Sequence, residues 1–265
     1  MNGRATLKAL GFRLIDLLGV NALFRHLNKG RIKVLLLHSI TPGRADFSNA
    51  LSPEELDAVI RHLKSHYAVI GITQSGAWTG YRSDRVNVLL SFDDGFQNNV
   101  DHALPVLARH GVPALFFIIS SCLAKGAPPS FVKAEERGAA CFRTVTLEGA
   151  RQLMRAGMTL GSHSMAHGDH SLMDEGEMIA DASQSRATLE ADLGVPVTLF
   201  AFPWGKHRPE QRALAASRYA RIFLTEHGFC GPDDSIIPRN EVDSLTHARV
   251  AASGALDTLR RMVVP

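Results

Sequence analysis

The chain alternates short apolar runs with segments of helical periodicity from residue 32 almost to its end. This alternation is typical of parallel strands joined by crossover helices. About seven such units follow one another, which predicts an α/β fold, a distorted (β/α)7 barrel, formed as a single domain. The predicted strands are 34–37, 67–70, 86–92, 114–119, 158–160, 197–202, 221–225 and 248–250, and the predicted helices are 52–65, 100–110, 147–156, 175–193, 208–218 and a terminal one. The stretch 120–144 lacks a period and is predicted to be irregular.

Composition and charge exclude several classes of protein. Hydrophobic residues make up 45% and charged residues 21% of the chain, which is average for a globular protein and argues against disorder. The formal net charge is only +3, and basic residues do not cluster with aromatic ones. A nucleic-acid partner is therefore not expected. Cys122, Cys141 and Cys230 are widely spaced, so neither a disulfide framework nor a structural zinc site is indicated.

The first thirty residues form a separate amphipathic segment ahead of the barrel at 31–265. Their apolar run at 9–24 is interrupted by Arg13 and Asp16, and it is too short and too charged to span a bilayer. No signal-peptide cleavage site follows it. Two interpretations stay open, namely a helix packed on the barrel and a helix that rests on a membrane surface. We expect a cytoplasmic protein, with residues 1–28 as the segment that would contact the inner face of the membrane.

The first chemical motif is Ser-Phe-Asp-Asp-Gly at residues 91–95, directly after a predicted strand. Loops at the carboxyl ends of the strands carry the active sites of such barrels. Two adjacent carboxylates can divide two tasks, because one can bind a metal while the other accepts a proton from water. The alternative is a simple turn in which Asp94 caps the next helix.

The second motif places His163 and His167 four residues apart after another predicted strand. Together with one carboxylate, two imidazoles would provide three metal ligands and leave positions open for water and substrate, as in catalytic zinc sites. Asp169 and His170 follow closely and could orient the ligands. The alternative is that both histidines lie on the surface, where this spacing is common.

The third motif is Phe-Ala-Phe-Pro-Trp-Gly at residues 200–205, where an apolar strand ends in a turn. Trp204 could form a stacking platform for a sugar ring. The alternative is a buried tryptophan in an ordinary strand-ending turn.

Taken together and in this order, the three motifs resemble the polysaccharide deacetylase family, also called carbohydrate esterase family 4 or the chitooligosaccharide-deacetylase homology domain. The resemblance extends from about residue 32 to 250 and includes the segments VLLLHSITP and GVPALFFI. It implies a distorted (β/α)7 barrel that holds a divalent metal, with zinc as the default and cobalt, nickel or manganese as other fits. It also implies that Asp94, His163 and His167 are the metal ligands and that Asp93 is the general base.

Two positions depart from the family pattern. The arginine that opens the third family motif and orients the base is replaced here by Ala201. Arg239 is a candidate substitute, although an ion pair of structural importance is the alternative. The late histidine motif, which supplies the catalytic acid, has no clear match, and His227 and His247 are the candidates. We predict that His227 is a catalytic residue beside Asp93.

The predicted substrate-binding residues are Pro203, Trp204, His38 and Arg239, since His38 ends the first strand and could reach the mouth of the site. The predicted function is a metal-dependent hydrolase that removes an N-acetyl or related acyl group from a carbohydrate or a lipid-linked sugar in glycan biosynthesis. Two alternatives stay open. One is a degenerate barrel that binds glycan without turnover, and the other is an amidohydrolase that acts on a non-sugar amide.

Overall fold

A computed structural model describes residues 19–42, 50–123, 126, 128–132, 143–255 and 257. The helices are α1 Val20–Leu27, α2 Pro53–His66, α3 Leu104–His110, α4 Ser120–Leu123, α5 Leu147–Arg155, α6 Glu175–Leu193, α7 Pro209–Ala216 and α8 Leu245–Ser253. The strands are β1 Ile32–Leu37, β2 Ser39–Ile40, β3 Ala50–Leu51, β4 Ala68–Val69, β5 Gly71–Ile72, β6 Trp78–Thr79, β7 Asn87–Phe92, β8 Ala114–Ile118, β9 Thr159–Ser162, β10 Leu199–Ala201, β11 Arg221–Leu224 and β12 Ile236–Glu241. A π-helical turn at Asn99–Ala103 leads into α3, and 3₁₀ turns lie at His170–Leu172 and Pro203–Gly205.

Seven strands close into a parallel barrel in the order β1, β7, β8, β9, β10, β11, β12 and back to β1. β4 pairs with the first half of β7, while β8 pairs with its second half, so these two short strands share one edge. β9 and β10 are joined by a single register pair, Phe200 with Ser162, and this is where the barrel is most distorted. The predicted (β/α)7 barrel is confirmed.

Side chains of the barrel strands alternate between two apolar layers, as the pleat requires. The inner layer fills the barrel and includes Val34, Leu89, Phe117 and Ile237. The outer layer packs against the helices. α2 illustrates how the helices begin: Ser52 and Glu55 form a capping box, and Pro53 occupies the first turn. The polar residues at the carboxyl ends of the strands lie outside these two apolar layers and form the mouth of the barrel.

The predicted strand 248–250 is wrong, because these residues lie within α8. The Ser244 hydroxyl caps this helix by accepting a hydrogen bond from the His247 N–H, and Gly254 ends it with a φ of 87°. The missing strand is β12, in a stretch predicted to be a loop. Pro238 and two buried polar residues, Arg239 and Asn240, hid it, since prolines and polar side chains argue against a central strand.

α1 packs against α8 through polar contacts. The Ser253 hydroxyl donates to Asn21 Oδ1 over 2.7 Å, and Asn28 Nδ2 donates to the Ser253 carbonyl over 3.3 Å. Residues 1–18 of the predicted amphipathic segment lie outside the described residues. Among the described helices, none has the length and apolar character that crossing a bilayer requires. The cytoplasmic location stays a prediction.

Candidate functional site

Two strand ends bring the predicted metal ligands to the same mouth of the barrel. Asp93 and Asp94 follow β7, and His163 follows β9, with β8 between the two strands. Asp94 adopts a left-handed backbone with a φ of 66°, and Gly95 continues it at 61°. This turn separates the two carboxylates, so that each one meets different partners.

Asp94, His163 and His167 form a compact set of buried ligand atoms, all within 4.8 Å of one another. Asp94 Oδ1 lies 3.1 Å from His167 Nε2 and 3.5 Å from His163 Nε2. One carboxylate and two imidazoles are a donor set that suits zinc and leaves positions open for other ligands. The structure thus brings together the three side chains that the sequence predicts as metal ligands.

Backbone contacts orient His163 for such a role. Its Nδ1 lies 2.9 Å from the carbonyl oxygen of Ala201. Since a carbonyl can only accept, Nδ1 carries a proton, and Nε2 is the nitrogen that faces Asp94. A metal-ligating histidine commonly has this arrangement, with its second nitrogen hydrogen-bonded to the protein. Ala201, at the position where the family motif has arginine, therefore contributes through its backbone.

Asp93 is held by Arg239. Arg239 Nη1 and Nη2 donate to the two carboxylate oxygens of Asp93 over 2.6 and 2.8 Å, and both side chains are buried. The guanidinium also donates to the Leu224 carbonyl and lies over the Phe117 ring, 5.1 Å from its centroid. Asp93 Oδ2 is 3.8 Å from His163 Nε2, so the carboxylate borders the ligand set.

The charges at the mouth keep both carboxylates ionised. Burial opposes ionisation of Asp93, but the positive charge of Arg239 and its hydrogen bonds hold the pKa of Asp93 below the usual value. Burial likewise opposes ionisation of Asp94, and hydrogen bonds from His163 and His167 outweigh it and lower the pKa of Asp94. Two buried negative charges opposite a single guanidinium favour the binding of a cation.

His38 lies at the same mouth. It follows β1 directly, and the Asp93 N–H donates to the carbonyl of the preceding residue, Leu37, over 3.0 Å. His38 Nδ1 is 3.6 Å from Glu241 Oε1, at the end of β12. Its charge is among the causes that lower the pKa values of Asp93 and Asp94. His38 is partly exposed, and it is thus the histidine of the mouth that can reach solvent.

The structure does not bring His227 or His247 to this group. His227 Nδ1 lies 2.5 Å from Asn240 Nδ2. Because neighbours on a strand point to opposite faces and Arg239 points into the barrel, Asn240 and its partner lie on the outer side of the wall. His247 lies on α8, with its Nδ1 3.0 Å from Asp243 Oδ1. The prediction of His227 as the acid therefore gains no support from the structure.

Aromatic rings form a wall beside His167. Pro203 starts the turn after β10, and Trp204 follows with a φ of 60° and a side chain that is 54% exposed. The Trp204 ring meets His167 and Phe131 edge to face, at centroid distances of 4.8 and 5.1 Å. Phe131 was not found from the sequence, because it belongs to a stretch without any periodic pattern. The alternative of a buried Trp204 is wrong.

A buried group of hydroxyls supports residues 163–167, which we call the histidine loop. Ser185 Oγ of α6 lies 2.5 Å from Ser120 Oγ and 2.6 Å from Ser162 Oγ. The Ser120 N–H donates to the Ser164 carbonyl, and the Ser164 hydroxyl accepts from the His167 N–H over 2.9 Å. Nothing in the sequence pattern marked Ser120 or Ser185, which lie far from the motifs along the chain.

The predicted support from residues 169 and 170 is divided. His170 Nε2 lies 3.0 Å from Asp181 Oδ1, which also accepts from the Met165 N–H inside the histidine loop. Asp169 instead pairs with Lys206, over 2.8 Å. His170 thus braces the loop through Asp181, whereas Asp169 ties it to the turn that carries Trp204.

Comparisons with known proteins address the family and the fold of this chain. The sequence model of the polysaccharide deacetylase family matches residues 81–221, just over half of the chain. A Bacillus subtilis (strain 168) protein, YxkH, which bears the name of a polysaccharide deacetylase, is 21% identical over 217 residues, 80% of this chain and 71% of its own. The structure of IcaB from Ammonifex degensii matches at a TM-score of 0.68 and 22% identity, covering 86% of this chain and 98% of that one. The Streptococcus pyogenes deacetylase PplD, solved in complex with acetate, matches at a TM-score of 0.65 and 18% identity, covering 86% and 97%.

The fold and the site define a (β/α)7 barrel with a buried Asp-His-His set at its mouth. The chain belongs to the polysaccharide deacetylase family. The structural matches, at this level of identity, establish the shared barrel. Membership of the family supports carbohydrate deacetylation as the class of reaction.

Proposed function

We propose that this protein is a metal-dependent hydrolase that cleaves the amide C–N bond of an N-acylated sugar, most simply an N-acetyl group. The observation that carries the proposal is the pairing of two units at one mouth. One unit is the set Asp94, His163 and His167, and the other is Asp93, held beside it by Arg239. The first unit suits a divalent cation, and the second suits a base in a fixed position.

The donor chemistry fits a divalent cation, with zinc as the default. Three ligand atoms converge, Asp94 is held in its ionised form, and His163 turns Nε2 toward Asp94. A cation held there would supply Lewis acidity, which lowers the pKa of water and polarises a carbonyl oxygen. All further steps can be assigned to side chains of this chain.

Asp93 would act as the general base. Its Oδ2 borders the ligand set, and two hydrogen bonds from Arg239 prevent the carboxylate from rotating. As the oxygen of a water molecule attacks the amide carbon, Asp93 takes the proton that this oxygen releases. The low pKa that Arg239 imposes keeps the carboxylate free to accept it at neutral pH.

His38 is better placed than His227 to be the general acid. It stands at the mouth beside Asp93, and Glu241 Oε1 lies 3.6 Å from its Nδ1. When the C–N bond breaks, the sugar nitrogen must receive a proton to leave as an amine. A protonated His38 would donate it, and the products would be the free amino sugar and a carboxylate such as acetate.

The aromatic wall supports a carbohydrate as the substrate. The Trp204 ring is exposed at the mouth next to ligand His167, where one face of a sugar ring can stack on it. Phe131 packs edge to face against this ring, at a centroid distance of 5.1 Å. We propose a role in glycan biosynthesis, with either a free or a lipid-linked sugar as the substrate.

The deciding experiment measures released acetate or formate from a panel of N-acylated oligosaccharides and glycolipids. The protein is first stripped with a chelator and then reloaded with zinc, cobalt, nickel or manganese. We expect release that disappears on stripping and returns on reloading. Glycan binding without any release would instead favour a degenerate binding barrel, and release from non-sugar amides alone would favour an amidohydrolase of another substrate class.

A further inference from the structure

The positive charge of this chain is concentrated at one end. The first 31 residues carry six basic side chains against one acidic one, Asp16, whereas the whole chain has a formal net charge of only +3. The remainder of the chain is therefore slightly negative. The six basic residues are Arg4, Lys8, Arg13, Arg25, Lys29 and Arg31. The first three lie outside the described residues, and the last three lie in or directly after α1.

α1 has an inner and an outer face. Its inner face is fixed to the barrel by Asn21, which is buried and bonded to Ser253, and by Phe24, which packs on the core. Its outer face carries Leu23 and Leu27, which are 57% and 65% exposed. Residues four apart lie on the same side of a helix. The two leucines thus form an apolar surface that nothing in the described part of the chain covers.

This apolar surface continues onto the barrel wall. Leu27 and Ile236 both line one cleft of about 460 Å³ between α1 and the β11–β12 connection, and Ile236 is itself 37% exposed. We call Leu23, Leu27 and Ile236 the apolar stripe. Such residues are seldom exposed side by side unless the surface binds a partner.

Charge decides which partner fits. Lys29 and Arg31 come within four residues of the end of α1 at Leu27, and Arg31 lines the same cleft as Leu27 and Ile236. The two acids of the cleft are already neutralised, since Asp257 pairs with Lys33 and Glu226 pairs with Arg212. A second copy of the chain would bring the same positive charge to the interface. A surface with apolar interior and negative headgroups complements both features.

We propose that the apolar stripe, together with Lys29 and Arg31, docks this protein on an anionic lipid bilayer. The leucines enter the boundary between headgroups and acyl chains, and Lys29 and Arg31 lie among the headgroups. The inner face of α1 stays on the barrel, so docking needs no unfolding of the helix. The inference does not depend on the proposed reaction, because it uses no residue of the mouth.

The test is co-sedimentation of the full chain with vesicles, one set of phosphatidylcholine alone and one with phosphatidylglycerol added. We expect binding to the anionic vesicles that weakens as salt is raised, and little binding to the neutral ones. The double variant Leu23→Gln/Leu27→Gln should bind at least about tenfold less, because it removes most of the apolar area. Leu172→Gln is the matched control, since Leu172 is 82% exposed on another part of the surface. It should bind as the wild type does.

Melting temperatures measured beside these assays show whether each variant is folded. A second variant, Lys29→Glu, leaves the leucines intact and should also weaken binding to the anionic vesicles. The proposal is overturned if the wild type ignores anionic vesicles or if the double variant and Lys29→Glu bind as well as the wild type. It is equally overturned if the wild type forms a dimer that the double variant abolishes, without any binding to vesicles.

Discussion

Arg239 donates two parallel hydrogen bonds to Asp93, of 2.6 and 2.8 Å, although their strands β12 and β7 are separated in the barrel by β1. An arginine on a distant strand thus stands where it can orient the carboxylate, while Ala201 occupies the motif position of the family arginine. Because both partners are buried, the pair also links the mouth to the stability of the barrel.

Replacing Arg239 should therefore damage stability and activity together. Arg239→Met leaves a buried carboxylate unpaired, and we expect the free energy of unfolding to fall by about 3–5 kcal/mol. Without the guanidinium the pKa of Asp93 should rise, so the acid limb of the pH–rate profile should move to higher pH. Denaturant titration and pH profiles measure both effects. In an Asp93→Asn background the same substitution should cost clearly less, and an equal cost would contradict the pairing.

Asp93→Asn should separate catalysis from metal binding. The amide preserves the shape of the side chain but cannot take a proton, so turnover should fall by about 10²–10⁴-fold. Bound metal, measured by elemental analysis after dialysis, should stay at the wild-type level. In contrast, Asp94→Asn should lose metal. Near wild-type turnover by the Asp93 variant would exclude it as the base.

Ser185 should support the metal ligands without touching them. Ser185→Ala removes the hydroxyl that joins Ser120 and Ser162, and loosening the histidine loop should weaken metal affinity by about 10–100-fold. The matched control is Ser183→Ala, two residues earlier on α6 and exposed. Metal competition assays compare the two. If both variants hold metal equally well, the hydroxyl group has no positioning role.

Trp204→Ala should affect substrate binding more than chemistry. Loss of one stacked ring corresponds to about 0.5–1.5 kcal/mol, so KM for an oligosaccharide should rise by about 2–13-fold while kcat changes little. Trp204→Phe keeps a ring and should retain most of the affinity. A large fall in kcat at constant KM would instead place Trp204 in the chemical step.

Cys230 should make the barrel weaker in alkali. Burial raises the pKa of its thiol from 9.0 to about 12. Above pH 9 the unfolded chain loses this proton while the folded chain keeps it, so this contribution to stability is complete below pH 9 and disappears as the pH rises toward 12. The advantage in unfolding free energy that wild type has over Cys230→Ala should shrink by about 1–2 kcal/mol between pH 8 and 10.5. A constant difference would contradict the burial of the thiol as the cause.

The barrel was predictable because the alternation of apolar runs and helical segments is visible in the sequence. The three predicted metal ligands were found because the carboxyl ends of parallel strands lie at the same mouth of a barrel. Asp93 and Asp94 come at the end of one strand and His163 at the end of another, so their position at strand ends sufficed to find them. β12 was missed because a strand whose residues face a polar mouth and a buried polar wall has no apolar period. Because β12 was not predicted, nothing in the sequence pattern placed Arg239 and Glu241 on a strand of the barrel.

The remaining site residues depend on contacts between distant parts of the chain. Ser120 and Ser185 are separated by 65 positions, and only the packing of α4 on α6 brings their hydroxyls together. His227 was a candidate for the acid because the late histidine motif has no clear match, but it lies on the outside of the wall, where its partner is Asn240. Strand order alone cannot reveal which side of the wall a loop follows.

Within the described residues, the left-handed backbone conformation occurs outside glycine only at Asp94, Ser164, His167 and Trp204, all of them at the mouth. Each costs on the order of 1–3 kcal/mol that a glycine would avoid. Ser164→Gly or Trp204→Gly should therefore relieve backbone strain and at the same time remove a group that the site uses. Selection for heat resistance alone would therefore favour replacement of these four residues, one after another. Variants of this protein selected for thermostability should be screened for turnover at every round.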